Sequence, residues 1–263
     1  MNKQKLIGLT MLTFGSIYMI SLFLFIEKFE KMNDSLGLIM TIISTIFIIF
    51  GSGLLFIKTQ EEHFKEQAIK NNEYNKLKKH YKYKPVVTYI LIGINILVYL
   101  IVNISQGNSE IIKYAISKND FQIYKLFTSI FTHSSESHII TNMLALYLCG
   151  SKLESLIGNI KYLLVYFISG FGSSLLIAIF ANYPCVGASG AILGLYGCYL
   201  FIAFKNRNIM KYTYKYDLLP TIIIILIGTI IIPKISIIGH FGGLIIGIVY
   251  GVTFFNKKIL KEE

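Results

Sequence analysis

Long apolar runs alternate with short polar stretches along the whole chain. They lie near 6–26, 37–57, 86–104, 138–156, 161–181, 187–204, 218–232 and 236–255. A bilayer core takes about 20 residues of helix, so each run predicts a membrane span. The predicted fold class is an all-α polytopic membrane protein. The seventh run is short and contains Pro220, which predicts a tilted or thin helix. The first run follows Met1-Asn-Lys-Gln-Lys5 without a small-residue cleavage site, so it reads as a retained helix rather than a signal peptide.

The polar stretch after the second run divides the chain. Residues 1–57 read as an N-terminal two-helix transmembrane hairpin. Residues 58–84 read as a basic linker, 85–255 as a six-helix core and 256–263 as a basic tail. Residues 105–137 form a long connection with apolar positions such as Ile112, Phe121, Leu126 and Phe131. Such a segment is expected to be functional and to pack on the membrane or the protein.

Composition agrees with a membrane protein: 54% of the 263 residues are hydrophobic and 15% charged. The net charge of +11 comes from lysines between runs. They mark cytoplasmic helix ends rather than nucleic-acid binding. Lys58–Lys84, the Lys205–Lys215 stretch and the tail then all face the cytoplasm. Both termini are predicted inside, in a multi-pass cell-membrane protein. Loops 27–36, 105–137, 182–186 and 233–235 face outward. The richness in Ile, Lys, Asn and Tyr points to a bacterium with an AT-rich genome. Cys149, Cys185 and Cys198 lack metal spacing and read as buried small hydrophobes.

Two polar residues stand out. Ser189 lies in Gly187-Ala-Ser-Gly-Ala-Ile-Leu-Gly194, and His240 in Gly239-His-Phe-Gly-Gly243. Polar groups at membrane depth are costly and usually functional. Both runs descend from the outer face, and His240 lies about 6 Å into its span at 1.5 Å per residue. The two residues therefore share a depth. Gly190 and Gly194 on one helix, and Gly243 and Gly247 on the other, allow close backbone approach. This suggests a nucleophile and its base. A third cluster places His138 and Asn142 four residues apart on one helix face, where both can donate to an oxyanion. The competing reading of that pair is a helix-start cap. His133 reads as a buttress of the outer segment.

Zinc held by His133, His138 and His240 is disfavoured by the lack of HExxH and of an aspartate ligand. The soluble α/β-hydrolase elbow lacks its second glycine and its strand. A transporter is disfavoured because the spans read as free of acidic residues and no inverted repeat is evident.

At these residues the chain resembles the rhomboid intramembrane serine proteases. Gly187–Gly190 matches GxSG, Gly239–Gly247 the histidine run of the last helix, and His138–Asn142 the His-x-x-x-Asn motif. Pro85–Asn95 resembles the first core helix. The resemblance implies Ser189 as nucleophile, His240 as base, and His138 with Asn142 at the oxyanion. It implies cleavage of transmembrane segments of other proteins within the lipid bilayer, without cofactor or metal. The alternative is an inactive rhomboid-like adaptor or chaperone. Leu193 stands where the family has an aromatic residue against the histidine, so another group must orient His240. Tyr124-Lys125 stands in place of the outer loop's Trp-Arg pair.

Overall fold

The computed structural model describes residues 69–77, 80–105, 111–232 and 235–255. The chain divides into two units, Met1–Asn72 and Glu73–Glu263, and the second is described below. The predicted hairpin at 1–57, the tail at 256–263 and linker residues 58–68, 78 and 79 lie outside the described residues.

The described residues are helical, with only two isolated bridges in place of strands. We label the long helices α1 (Val86–Ser105), α2 (Lys125–Phe131), α3 (Glu136–Ala145, continuing through π-helical Leu146–Gly150 into Ser151–Ile157), α4 (Asn159–Phe180), α5 (Ser189–Lys205), α6 (Thr213–Ile231) and α7 (Ile237–Phe254). By length and hydropathy α4, α6 and α7 can each cross a membrane. Val86–Val102 and α5 are shorter apolar helices. Isoleucines 223, 224, 227, 230 and 231 of α6 face outward, as expected where the solvent is lipid.

Two corrections to the span reading follow. The seventh span is not short. It begins at Thr213 and runs through π-helical Thr213–Leu218 into an α-helical part with Pro220, the π-helical turn being the kind of local adjustment that accommodates proline's missing N–H within a membrane helix. The fourth span is not wholly apolar towards its C-terminal end. Glu154 is fully buried there, and its carboxylate accepts Val87 N–H at 2.8 Å, Thr88 N–H at 2.7 Å and the Thr88 hydroxyl at 2.7 Å. These are orphan donors at the start of α1. Glu73 does the same for the start of α6. It accepts Tyr212 N–H at 2.6 Å, Thr213 N–H at 2.9 Å and the Thr213 hydroxyl at 2.6 Å.

Helices α4, α5 and α7 form the tightly packed heart of this unit. Small residues set their spacing. A Cβ on Gly243 would sit 2.7 Å from the Gly190 carbonyl carbon, and one on Gly247 would overlap the Gly194 carbonyl. The α4 residues Ser169 and Ser173 fill the space a side chain at Gly194 or Gly190 would need. The Ser173 hydroxyl donates to Gly239 O at 2.9 Å.

Candidate active site

Each candidate side chain is placed by a local start signal. Ser135 caps α3, its hydroxyl accepting His138 N–H at 3.2 Å, which puts His138 in the first turn. Ser236 caps α7 by accepting Gly239 N–H at 3.1 Å, so His240 falls in its first turn. Ser189 opens α5, which has no side-chain cap. Its first backbone N–H groups therefore lack a capping acceptor at the partly positive end of the helix.

Gly187, two residues before Ser189, has φ 127°, a conformation that favours glycine. A Cβ there would sit 2.7 Å from His138 Nε2 and 3.8 Å from Ser189 Oγ. His138 Nε2 and the Ser189 hydroxyl thus converge on one point beside Gly187. The other ring nitrogen, Nδ1, pairs with Ser134 Oγ at 3.1 Å. Asn142 is buried, and its amide nitrogen donates to His138 O at 2.9 Å. One amide hydrogen is taken by its own helix and the second remains.

The approach loop is held from two sides. Gly187 N–H donates to Ser129 O at 2.8 Å, and Ile116 and Cys185 exchange backbone bonds of 3.0 and 2.9 Å. His133 is fully buried. Its Nε2 accepts Ala188 N–H at 3.5 Å, so Nδ1, 3.3 Å from Phe131 O, carries the proton. Burial, reinforced by His138 nearby, pushes its pKa down to about 3. His133 is thus a neutral strut beneath the residue preceding Ser189. In the segment 111–131, buried Lys125 pairs with Asp120 at 2.5 Å, and the Tyr124 hydroxyl reaches Lys113 O at 3.5 Å.

Across the Gly190–Gly243 contact, Ser189 and His240 lie at the N-terminal ends of adjacent helices. A Cβ on Gly190 would also come within 3.3 Å of Gly239 O. The two side chains form no hydrogen bond with each other among those of the described residues. The His240 ring is held instead by Thr229, its Nδ1 lying 2.6 Å from Thr229 Oγ1. Catalytic hydrogen bonds are often long without substrate and tighten when it binds. Leu193 is buried in the core and offers the imidazole no polar contact. The sequence pattern does not mark Thr229. Its one signal was a hydroxyl within an otherwise aliphatic stretch.

Behind Ser189 lies a pocket of about 20 Å³ lined by Ser129, Ser173, Ser174, Ser236 and Gly187. That volume suits about one water molecule. No three of His, Cys, Asp and Glu among the described residues converge as a metal-ligand set.

Residues 120–257 match the Rhomboid domain family. The chain is 30% identical over 200 residues to rhomboid protease GluP of Bacillus subtilis, covering 73% of this chain and 38% of that protein. It is 37% identical over 140 residues to RHOMBOID-like protein 1 of Arabidopsis thaliana, covering 52% and 36%. It is 31% identical over 175 residues to putative rhomboid protein L523 of Acanthamoeba polyphaga mimivirus, covering 64% and 90%. The chain thus spans less than half the length of the first two relatives.

Proposed function

From the premise that the chain belongs to the rhomboid family of multi-pass membrane proteins, we propose that it is an intramembrane serine endopeptidase. It cuts transmembrane segments of other membrane proteins near the outer face. Its six-helix core follows a two-helix N-terminal hairpin, and both termini face the cytoplasm.

In this reading the Ser189 hydroxyl attacks the scissile carbonyl, and His240 Nε2 takes its proton and returns it to the leaving amine. Water then attacks the acyl-enzyme and regenerates Ser189. The developing oxyanion is met by the Ser189 N–H at the start of α5, by His138 Nε2–H and by the second Asn142 amide hydrogen. If the Ser134 hydroxyl donates to His138 Nδ1, the proton stays on Nε2, where the oxyanion needs it. No step calls for a metal.

The observation that carries this reading is the main-chain contact of Gly190 with Gly243. It supports a serine and a histidine in the first turns of two touching helices, beside a helix start without a side-chain cap. The test is cleavage of a reporter transmembrane substrate by the purified protein. Ser189→Ala and His240→Ala should each abolish turnover without loss of folding, since nucleophile and base act as a unit. A fluorophosphonate should label the unsubstituted protein and not Ser189→Ala, and EDTA should leave activity intact. Full turnover by Ser189→Ala would sink the serine mechanism. Tight substrate capture without cleavage by the unsubstituted protein would favour an adaptor.

A further inference from the structure

The geometry points to Thr229 as the positioning residue that orients the base and selects its tautomer. This inference rests on the reading of His240 as the base. Thr229 sits in the last turn of α6, 2% exposed, with its Oγ1 2.6 Å from His240 Nδ1 and 2.8 Å from Ile225 O. A threonine hydroxyl has one proton and two acceptor positions. If the proton went to Nδ1, the ring would carry its own proton on Nε2 and could not accept one from Ser189. The backbone carbonyl of Ile225 has no proton to give, so it can only accept. With the Thr229 hydroxyl donating to Ile225 O, its lone pair faces His240 Nδ1. The ring then donates through Nδ1–H and presents a bare Nε2.

The same arrangement serves throughout the cycle. When His240 takes the serine proton it becomes an imidazolium, whose Nδ1–H still donates to Thr229. No hydroxyl has to rotate at the moment of reaction. Threonine suits this task because a β-branched side chain has few χ1 choices, and back-bonding to the carbonyl four residues earlier fixes one of them. The hydroxyl supplies orientation without a second buried charge. It fills the role left open by Leu193, and it comes from a different helix.

The first test is substitution. Removing the hydrogen-bond partner of a metal-ligating histidine typically costs about 10–100-fold, and a base held through its second nitrogen is expected to respond on the same scale. Thr229→Val, which keeps shape and removes the hydroxyl, should lower kcat on the reporter substrate by about that factor, with KM within about twofold. Thr229→Ser should restore most of kcat. Melting temperatures of the same samples report folding separately. A second measurement needs no folded valine variant. In Ser189→Ala protein, the ¹⁵N resonances of the His240 ring, assigned by loss in His240→Asn, should show a protonated Nδ1 and a bare Nε2.

Unchanged kcat in folded Thr229→Val would overturn the inference, as would equal loss in the valine and serine variants or a ring protonated on Nε2. Failure of the protease reading shows differently, as absence of Ser189-dependent cleavage in the unsubstituted protein. The ring tautomer then still tests the Thr229 contact.

Discussion

The carboxylate of Glu154 accepts both the backbone N–H and the hydroxyl of Thr88, each at 2.7 Å. It thereby ties the C-terminal end of α3 to the start of α1. Hydrogen bonds to charged groups contribute about 1.5–3 kcal/mol each, and an orphaned buried donor costs more than its bond was worth. Glu154→Ala should therefore destabilise the protein by about 3 kcal/mol or more, and Thr88→Val by less, since two backbone donors keep their acceptor. Unfolding in mixed detergent micelles measures both. Equal, small losses would mean that water replaces the carboxylate readily.

Gly243→Ala should separate α5 from α7, because the new methyl meets main-chain atoms of Gly190 that cannot rotate away. A misplacement of about 1 Å can cost roughly 10²-fold in rate, so kcat should fall by about that factor or more. Gly93→Ala and Gly228→Ala are the controls. The first would meet nothing within 4 Å and the second only Ile232 Cδ1 at 3.9 Å. Both should keep full activity, with up to about 1 kcal/mol of added helix stability. Equal damage at all three positions would mean that the close contact has no special role.

His133 predicts an acid-sensitive fold. Its pKa falls to about 3 in the folded chain, against an ordinary value of about 6.5. Between these values the unfolded state binds the extra proton, so stability rises with pH across that window. The contribution is complete above about 6.5 and is lost as pH drops towards 3. His133→Asn should flatten this limb in melting curves taken from pH 7.5 to 4. A limb of unchanged slope would assign the acid sensitivity to other groups.

Asn142→Ala should lower kcat by one to three orders of magnitude with little change in KM. Loss of one oxyanion donor costs roughly 3–4 kcal/mol in a transition state. The competing role is structural, since the Asn142 amide also bonds His138 O. Normal kcat with a reduced melting temperature would leave Asn142 as a brace for α3.

Orientation is testable at exposed loop positions. A cysteine at Asn182 should react with an impermeant maleimide from outside, and one at Arg207 only after permeabilisation. Both residues are exposed. The motive is the lysine distribution between spans. Labelling of position 207 from outside would invert the proposed topology.

The apolar runs predicted the described helices because lipid-facing and core-facing positions are both apolar, so averaging along the chain finds them. The glycine spacing announced the α5–α7 contact because residue size alone decides how close two helices come. Thr229 was hidden for the opposite reason. A threonine in a membrane helix ordinarily bonds its own backbone, and this one does. Nothing in spacing reveals that its second lone pair meets a histidine eleven residues on. Glu154 does not stand out in the pattern because one carboxylate hardly changes the hydropathy of its run. Only the folded chain brings the start of α1 to it. The seventh span was cut short at the polar residues before Leu218. There the Lys152–Asp217 pair at 2.9 Å and the Glu73 cap accommodate polar side chains at the start of the helix.

The glycine contact between α5 and α7 also divides the geometry of the site into two coordinates. Radial separation of serine and histidine is gauged by touching main chains, which have no rotamers to hop between. Repacking of side chains by a different lipid or a neighbouring substrate leaves that gauge unchanged. Azimuth, the turn of the imidazole about its own bonds, is the freedom that remains. A site built this way can drift out of aim without drifting out of range.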